Sequence, residues 1–254
     1  MREPLPRIGA QPSRGARIAF FGGSFDPPHL GHLAVARAAK AALGLDAVLF
    51  APVGAQPLKP GGSTASYADR LAMTRLAIAG ERGFSVSLAD APKLSGAPNF
   101  TLETLLGLRA ELPPDGSLFC LMGADSFFAL RQWHRSAELP FAAPLIVASR
   151  PGQPLDDLKA ALPEGLSMEP VPDAVERGSD VEVQVYLLLN RAGECSPFYL
   201  LPGLNVEVSA SQIRNLTRYR STSQAPSPVG TPAAEGLLLP EAVFDYIRSR
   251  GLYR

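Results

Sequence analysis

Two histidines, three residues apart, stand in a short stretch rich in glycine and proline near the N-terminus. The stretch, GGSFDPPHLGHL (residues 22–33), follows the apolar run Ile18–Phe21 and opens a segment of helical period. At the start of a helix, His29 and His32 lie on one face beside backbone N–H groups that attract anions, and Gly31 leaves room for a ligand to approach closely. Imidazoles placed there can donate hydrogen bonds to phosphate oxygens. The stretch therefore predicts a phosphate-binding site.

Two other interpretations of this histidine pair remain open. The simpler one places both side chains at the exposed start of a capped helix, where they bind nothing, as most H-x-x-H pairs do. The other is a metal site, but its remaining ligands would come from distant positions, and His134 is the only further histidine. Counting ligands therefore argues against a tightly held metal, and we assign no metal ligand.

Short apolar runs alternate with longer segments of helical period on both sides of this stretch. This alternation predicts parallel β-α-β units. The predicted strands are Ile18–Phe21, Ala47–Ala51, Phe84–Leu88, Ser117–Met122 and Pro144–Ser149. The predicted helices are His29–Leu43, Ser66–Ala79, Thr101–Leu112 and Phe127–Trp133. This order predicts an α/β fold with a Rossmann-like, doubly wound, mainly parallel sheet that binds ligands beyond the carboxyl ends of its strands. The glycine-rich turn stands at such a place, yet it matches neither G-x-G-x-x-G nor the Walker motif.

Beyond Arg150 the pattern is weaker and predicts a smaller C-terminal helical portion. The segments PLDDLKAAL (residues 154–162) and LLLPEAVFDYIRSRGLYR (residues 237–254) each have the spacing of a helix. Val181–Leu189 alternates like a strand of an antiparallel pair, and Val206–Val208 predicts one more strand.

We expect a single domain over residues 17–254, preceded by a disordered tail over residues 1–16. Residues 221–236 (STSQAPSPVGTPAAEG) contain few large apolar side chains, so they cannot bury enough surface to order themselves. The sequence therefore predicts a mobile loop there. It does not fix the oligomeric state, and a homo-oligomer is compatible with it.

The overall composition argues against several classes of partner. Twenty-four basic and 24 acidic residues cancel, which gives no net field for nucleic acid or an anionic membrane. The N-terminal residues lack the apolar core of a signal peptide, and no apolar run approaches the roughly 20 residues of a spanning helix. We therefore expect a cytoplasmic protein that binds neither nucleic acid nor membrane. Cys120 and Cys195 are far apart and are expected to be ordinary thiols.

Two segments at opposite ends of the predicted domain resemble the signatures of one superfamily. GGSFDPPHLGH (residues 22–32) resembles the G-x-F-x-P-x-H-x-G-H signature of the nucleotidyltransferases that share H-x-G-H with class I aminoacyl-tRNA synthetases. VSASQIR (residues 208–214) resembles their second signature, I-S-x-T-x-I-R. Four further segments resemble the nicotinate-mononucleotide adenylyltransferases within it: LMGADSFFALRQWHR, LIVASRPG, NFTLETL and the ending LPEAVFDYIRSRGLYR. The similarity runs from about Arg17 to the C-terminus.

The resemblance implies the reaction. The phosphate of nicotinate mononucleotide attacks the α-phosphorus of ATP, giving nicotinate adenine dinucleotide and pyrophosphate, a step of NAD synthesis. The protein's task in such a transfer is to align two charged reactants and to neutralise oxygens in the transition state. By resemblance, His29, His32 and Arg214 are the catalytic residues and hold the ATP phosphates, with Mg²⁺ bound together with ATP.

The resemblance also implies two sets of binding residues. On the ATP side they are Gly22, Ser24, Phe25, Gly31, Gly123, Asp125, Ser209 and Ser211, and on the mononucleotide side they are Lys59, Thr101, Trp133 and Arg150. Backbone groups of the first turn line the mononucleotide, Asp125 meets a ribose, and Trp133 stacks on the nicotinate ring. Each has a structural alternative: a plain turn, a helix cap for Asp125 or Thr101, a core position for Trp133, a surface charge for Arg150.

Some positions depart from the family pattern. QPLK (residues 56–59) stands where P-P-H-K is frequent, so only Lys59 carries over and the histidine is lost. Val208 and Ser211 replace the usual isoleucine and threonine, and the regions 168–204 and 221–236 are long. Two other substrates remain open, nicotinamide mononucleotide and phosphopantetheine. A protein of another class, a non-catalytic nucleotide-binding module, also remains open.

Overall fold

One eight-stranded sheet, in the order β3-β2-β1-β4-β5-β8-β7-β6, forms the centre of the molecule. The structure is a computed structural model, which describes residues 15–59, 61–149, 155–171, 181–204, 209–215 and 238–254. The strands are β1 (Arg17–Gly23), β2 (Ala47–Pro52), β3 (Phe84–Val86), β4 (Ser117–Gly123), β5 (Leu145–Ala148), β6 (Leu166–Pro170), β7 (Gln184–Asn190) and β8 (Cys195–Leu201). Strands β1 to β5 and β8 pair in parallel, whereas β6 and β7 join as antiparallel strands.

Helices cover both faces of the sheet. They are α1 (Leu30–Leu43), α2 (Tyr67–Ile78), α3 (Thr101–Glu111), α4 (Ala124–Phe128), α5 (Leu139–Ala142), α6 (Leu155–Ala160), α7 (described residues 210–215) and α8 (Glu241–Arg250). Two 3-10 turns, Leu130–Gln132 and Ser136–Glu138, follow α4. The sheet separates the buried apolar side chains into two clusters, one on each face. The predicted α/β, doubly wound, mainly parallel sheet is confirmed.

Local sequence explains the central layers. All six residues of β2 and four of the seven in β1 are buried, as expected for parallel strands covered on both faces. Helix α1 presents small side chains, among them Ala36 and Ala39, to one face of the sheet, so its backbone approaches closely. It ends at Gly44, whose φ of 56° is the left-handed conformation that glycine adopts without steric cost.

The predicted strands and helices up to β5 are confirmed within a few residues at their ends, with one difference. The helix expected over Phe127–Trp133 begins earlier, as α4, and is followed by a separate 3-10 turn. In the C-terminal portion, the strand expected over Val181–Leu189 is β7, with antiparallel neighbours on both sides. The helices expected at residues 154–162 and near the C-terminus are α6 and α8.

Strands β6 and β8 were not predicted, so the C-terminal portion contributes three strands to the sheet as well as helices. Pro197 interrupts the strand signal of β8, and β6 contains a single buried residue, Met168. Ala16, which we placed in the disordered tail, accepts a hydrogen bond at its main-chain oxygen from Ser117 N (2.8 Å). Residues 1–14, the strand Val206–Val208 and the loop 221–236 lie outside the described residues.

Among the residues described, no helix is long and apolar enough to cross a membrane. Cys120 is buried, Cys195 is exposed, and both are free thiols. Burial raises the pKa of the Cys120 thiol to about 12, which keeps it protonated.

Candidate active site

A cavity of about 460 Å³ opens at the carboxyl ends of β1 and β4. The crossover from β1 runs to β2 on one side and β4 lies on the other, so this is the switch point of the doubly wound sheet. Six of the predicted site residues line the cavity: Gly22, Ser24, Lys59, Thr101, Asp125 and Trp133. Side chains that the sequence did not single out also line it, among them Gln56, Asn99, Phe100 and His134. The position expected for a ligand site is therefore a real concavity.

The loop between β1 and α1 carries an aromatic side chain inward. Phe25 has a φ of 46°, a left-handed conformation that costs a non-glycine residue about 1–2 kcal/mol. Its ring is buried against Phe21 and Phe50, with centroid distances of 5.6 Å to each, and this packing holds the strained backbone in place. Phe25 also meets His32 edge to face at 4.9 Å. The Phe25 ring thus supports a histidine, and nucleotide binding at Phe25 stays a prediction.

The imidazole rings of His29 and His32 lie side by side, with their centroids 3.7 Å apart. His29 is the N-cap of α1, and its main-chain N–H donates a hydrogen bond to Nδ1 of His32 (3.1 Å). A backbone N–H can only donate, so Nδ1 of His32 carries no proton and the neutral ring keeps its proton on Nε2. This contact therefore leaves His32 with an Nε2–H group that can donate to a phosphate oxygen.

Burial keeps both histidines neutral in the free protein. It lowers the pKa of His29 to about 4. The pKa of His32 is held well below 6.5, first by burial and then by the neighbouring His29. Nδ1 of His29 is buried and has no hydrogen-bond partner among the described residues. The expectation that the pair lies at an exposed helix start is wrong, because His29 is buried and the ring of His32 packs against Phe21 and Phe25.

The second signature meets the first through Arg214. Its Nη1 donates to the main-chain oxygen of Asp26 (2.6 Å) and its Nη2 donates to Oγ of Ser211 (3.1 Å). Asp26 lies in the loop that carries the histidines, 188 residues away in sequence. The fold therefore places the predicted cationic residue against the predicted phosphate loop.

Ser209 and Ser211 stand at the start of α7. Oγ of Ser209 accepts from Gln212 N (3.2 Å), and Oε1 of Gln212 accepts from Ser209 N (2.9 Å), a reciprocal capping box. Both serine hydroxyls act as acceptors in these contacts, so each keeps a proton to donate. Capping of α7 is thus shown for Ser209, and phosphate binding by the two serines stays a prediction.

At the cavity wall, two donors converge on the hydroxyl of Ser24. Nε2 of Gln56 lies 2.6 Å and Nζ of Lys59 lies 3.1 Å from Oγ of Ser24. Because Ser24 accepts from both, its own O–H is available to a ligand in the cavity. Gln56 thus supplies a polar side chain in the segment where the family histidine is missing.

The N-terminus of α3 faces the same cavity. The N-cap is Phe100, which provides no side-chain hydrogen bond, so the alternative that Thr101 merely caps the helix is wrong. Thr101 is the first helical residue, and its N–H has no partner within the helix. Trp133 is half-buried: it packs partly against the core and also lines the cavity.

The remaining predicted positions surround these groups. Gly123 is the N-cap of α4, and a Cβ there would meet no atom within 4 Å, so the backbone is open to an approaching ligand. Asp125, in the first turn of α4, is exposed at the cavity and does not occupy the cap position. Gly31 is buried in the first turn of α1. Arg150 lies outside the described residues.

Arg70 supports the site, which the sequence did not suggest. It is buried, and it donates to the main-chain oxygens of Ser24 (2.7 Å) and Val53 (2.8 Å), which ties the loops after β1 and β2 together. The signal was present in the helical spacing, because Arg70 shares the face of α2 with buried Met73 and Ala77. Asp26 lies inside the first signature, but it was likewise not predicted to be a site residue.

Comparison with known proteins identifies the family of the chain. A cytidylyltransferase-like family model matches residues 20–216, which is most of the chain. A probable nicotinate-nucleotide adenylyltransferase of Gloeobacter violaceus is 36% identical over 239 residues, covering 94% of this chain and 97% of that protein. Another, from Laribacter hongkongensis, is 37% identical over 253 residues, covering 98% and 96%. The chain therefore belongs to the cytidylyltransferase-like family.

Solved structures show the same fold. A Plasmodium falciparum nicotinic acid mononucleotide adenylyltransferase complexed with NaAD superposes with a TM-score of 0.62 at 15% identity, covering 94% of this chain and 97% of that chain. The same enzyme complexed with APC gives a TM-score of 0.61 at 14% identity, with the same coverage. Within the cytidylyltransferase-like family, the curated relatives group the chain with the nicotinate-nucleotide adenylyltransferases.

Proposed function

We propose that this protein joins the AMP moiety of ATP to nicotinate mononucleotide, giving nicotinate adenine dinucleotide and pyrophosphate in NAD biosynthesis. One observation carries the proposal: the two signatures meet at Asp26, beside a cavity large enough for a mononucleotide. The names of the curated relatives agree with it, since they are probable nicotinate-nucleotide adenylyltransferases. The cytoplasmic location expected from the sequence belongs to the same proposal.

The chemistry needs alignment and neutralisation of charge. A phosphate oxygen of nicotinate mononucleotide forms a bond to the α-phosphorus of ATP, while the bond from that phosphorus to the bridging oxygen of the β-phosphate breaks. Pyrophosphate leaves with the electron pair, and no group of the protein becomes covalently bound. The Nε2–H of His32 and the guanidinium of Arg214 supply donors for the negative oxygens.

The histidines are neutral donors before the nucleotide binds. Both are uncharged in the free protein, and a triphosphate beside them favours the charged form of an imidazole and raises its pKa. Mg²⁺ enters as part of the nucleotide substrate, bound to the ATP phosphates, and adds to the neutralisation. The hydroxyl of Ser24, which accepts from Lys59 and Gln56, faces the cavity and can donate to a bound nucleotide.

The test is a product assay. Purified protein is incubated with MgATP and nicotinate mononucleotide, and both products are quantified. The proposal expects nicotinate adenine dinucleotide and pyrophosphate in equal amounts, with neither formed when one substrate is omitted. Formation of pyrophosphate only with phosphopantetheine, or no turnover with any acceptor, would reject it.

A further inference from the structure

The side chain of Asp26 is a buried meeting point of three segments. Its carboxylate accepts hydrogen bonds from Thr64 N (2.6 Å), Ala65 N (3.1 Å) and the hydroxyl of Tyr253 (2.7 Å). The main-chain oxygen of the same residue accepts from Arg214. One residue of the first signature thus links the start of α2, the segment after α8, and the arginine of the second signature.

The segment 238–254 contacts the first signature at two points. The N–H of Leu30, the first residue of α1, donates to the main-chain oxygen of Leu238 (2.9 Å), and Tyr253 donates to Asp26. Between these points α8 packs against α2. One C-terminal segment therefore contacts both the loop between β1 and α1, at Asp26, and the start of α1, at Leu30.

Tyr253 reaches Asp26 through an unusual backbone conformation. Its φ is 62°, in the left-handed region that side chains other than glycine rarely occupy. The ring is buried, and the segment is fixed by a hydrogen bond from Leu252 N to Ile247 O (3.0 Å). Burial, followed by the contact with Asp26, raises the pKa of the Tyr253 hydroxyl, so the group stays a donor.

A second tyrosine of the same segment offers a contrast. The hydroxyl of Tyr246, on α8, donates to Oδ1 of Asp69 (3.0 Å) on α2. This bond also joins the C-terminal segment to a carboxylate, but Asp69 is outside both signatures and touches neither His32 nor Arg214 in any described contact. Comparing the loss of each hydroxyl therefore distinguishes a role in holding the C-terminal segment in place from a role in the site.

We propose that Tyr253 is a positioning residue for adenylyl transfer, because its hydroxyl fixes the Asp26 residue whose main-chain oxygen holds Arg214 toward the nucleotide phosphates. The inference rests on the proposed function for the identity of the reaction. The link itself concerns ATP binding, which can be measured without turnover.

The experiment compares Tyr253→Phe with the matched control Tyr246→Phe. Each variant loses one hydroxyl and keeps its ring, so packing is conserved. Binding is measured with an ATP analogue whose α,β-bridging oxygen is a methylene group, and kcat and KM are measured for both substrates well below each variant's Tm. We expect Tyr253→Phe to raise the analogue's Kd and lower kcat/KM for ATP by about tenfold or more, with the KM for nicotinate mononucleotide unchanged. Tyr246→Phe should change Tm alone.

The decisive comparison repeats Tyr253→Phe in an Arg214→Ala background. If Tyr253 acts through Arg214, the loss of analogue affinity disappears there, since its target is already gone. An equal loss in both backgrounds, or a Tyr253→Phe protein that loses Tm but keeps wild-type analogue affinity, would overturn the inference. If the wild type fails to use nicotinate mononucleotide, the proposed function fails, and the binding comparison still decides the role of Tyr253.

Discussion

The main-chain N–H of His29 donates to Nδ1 of His32, and the two rings lie with centroids 3.7 Å apart. A helix N-cap residue and the third helical residue are thus paired as in a capping box, with imidazole in the place of the usual carboxylate or amide. The pairing selects the tautomer of His32 with its proton on Nε2. Cap geometry and phosphate chemistry therefore depend on the same side chain.

Replacement of His32 should separate these two roles. His32→Ala removes both the acceptor for the cap and the Nε2–H donor, and we expect kcat to fall by about a hundredfold, the effect of deleting one preorganised donor. Tm should fall as well, because the ring packs on Phe25. His32→Gln can accept from His29 N and still present an N–H, so it should recover part of kcat. Steady-state kinetics that show equal kcat values for the two variants would contradict the assigned tautomer.

Burial of neutral His29 makes stability depend on pH. The unfolded side chain binds a proton near pH 6.5, whereas the folded one binds it only near pH 4, so the unfolded state holds more protons between these values. Stability should therefore fall as pH decreases through this window, by up to about 1.4 kcal/mol per pH unit for this group. His29→Asn keeps a good N-cap and removes the titration. Denaturant unfolding at several pH values should show a shallower loss for the variant, and identical slopes would refute the assignment.

Ionisation of Asp90 should make stability depend on pH in the direction opposite to that of His29. Burial raises its pKa to about 6, against its hydrogen bond from Thr104, and its carboxylate lies close to Gly22. Above pH 6 the folded state holds a buried charge, so stability contributed by this group is present at low pH and is lost as pH rises from about 4 to 6. Asp90→Asn keeps an acceptor for Thr104 and should gain about 1–3 kcal/mol at pH 8 but little at pH 4. A gain of equal size at both pH values would show a cause other than charge.

The N–H of Thr101 should help distinguish the acid from the amide substrate. A carboxylate on the pyridine ring gains more than a neutral amide from N–H donors at the start of α3. We expect kcat/KM for nicotinate mononucleotide to exceed that for nicotinamide mononucleotide. Thr101→Pro removes this N–H at a position where proline fits a helix, and Phe100 already has the extended backbone that precedes proline (φ −108°, ψ 125°).

The preference should therefore shrink in Thr101→Pro, while Thr101→Ala, which keeps the N–H, serves as the control. Competition assays with both mononucleotides give the ratio directly. An unchanged ratio in Thr101→Pro would place acid recognition elsewhere in the cavity.

The sequence allowed the central fold to be predicted because strong local signals agree there. Apolar runs, a left-handed Gly44 and the Ser66 cap mark the first elements within a few residues. Strand β8 was missed because Pro197 weakens its local signal, and its place beside β5 depends on pairing partners more than 40 residues away.

The site was predictable where a motif carries it and unpredictable where tertiary packing does. The positions of His32 and Arg214 followed from two signatures, but their meeting at Asp26 is a contact between distant segments. His32 packs against Phe25, whose left-handed backbone no sequence pattern indicated. The sequence also gave no indication of a role for Tyr253, since this residue lies beyond the glycine that ends α8.

The most direct test of adenylyl transfer follows the α-phosphorus itself. Wild-type protein and His32→Ala are each incubated with nicotinate mononucleotide and MgATP labelled with radioactive phosphorus at the α-position, and the products are separated. The account predicts that the wild type transfers the label into nicotinate adenine dinucleotide, with unlabelled pyrophosphate, and that His32→Ala does so about a hundredfold more slowly. Label recovered only in AMP or ADP, or equal rates for the two proteins, would contradict it.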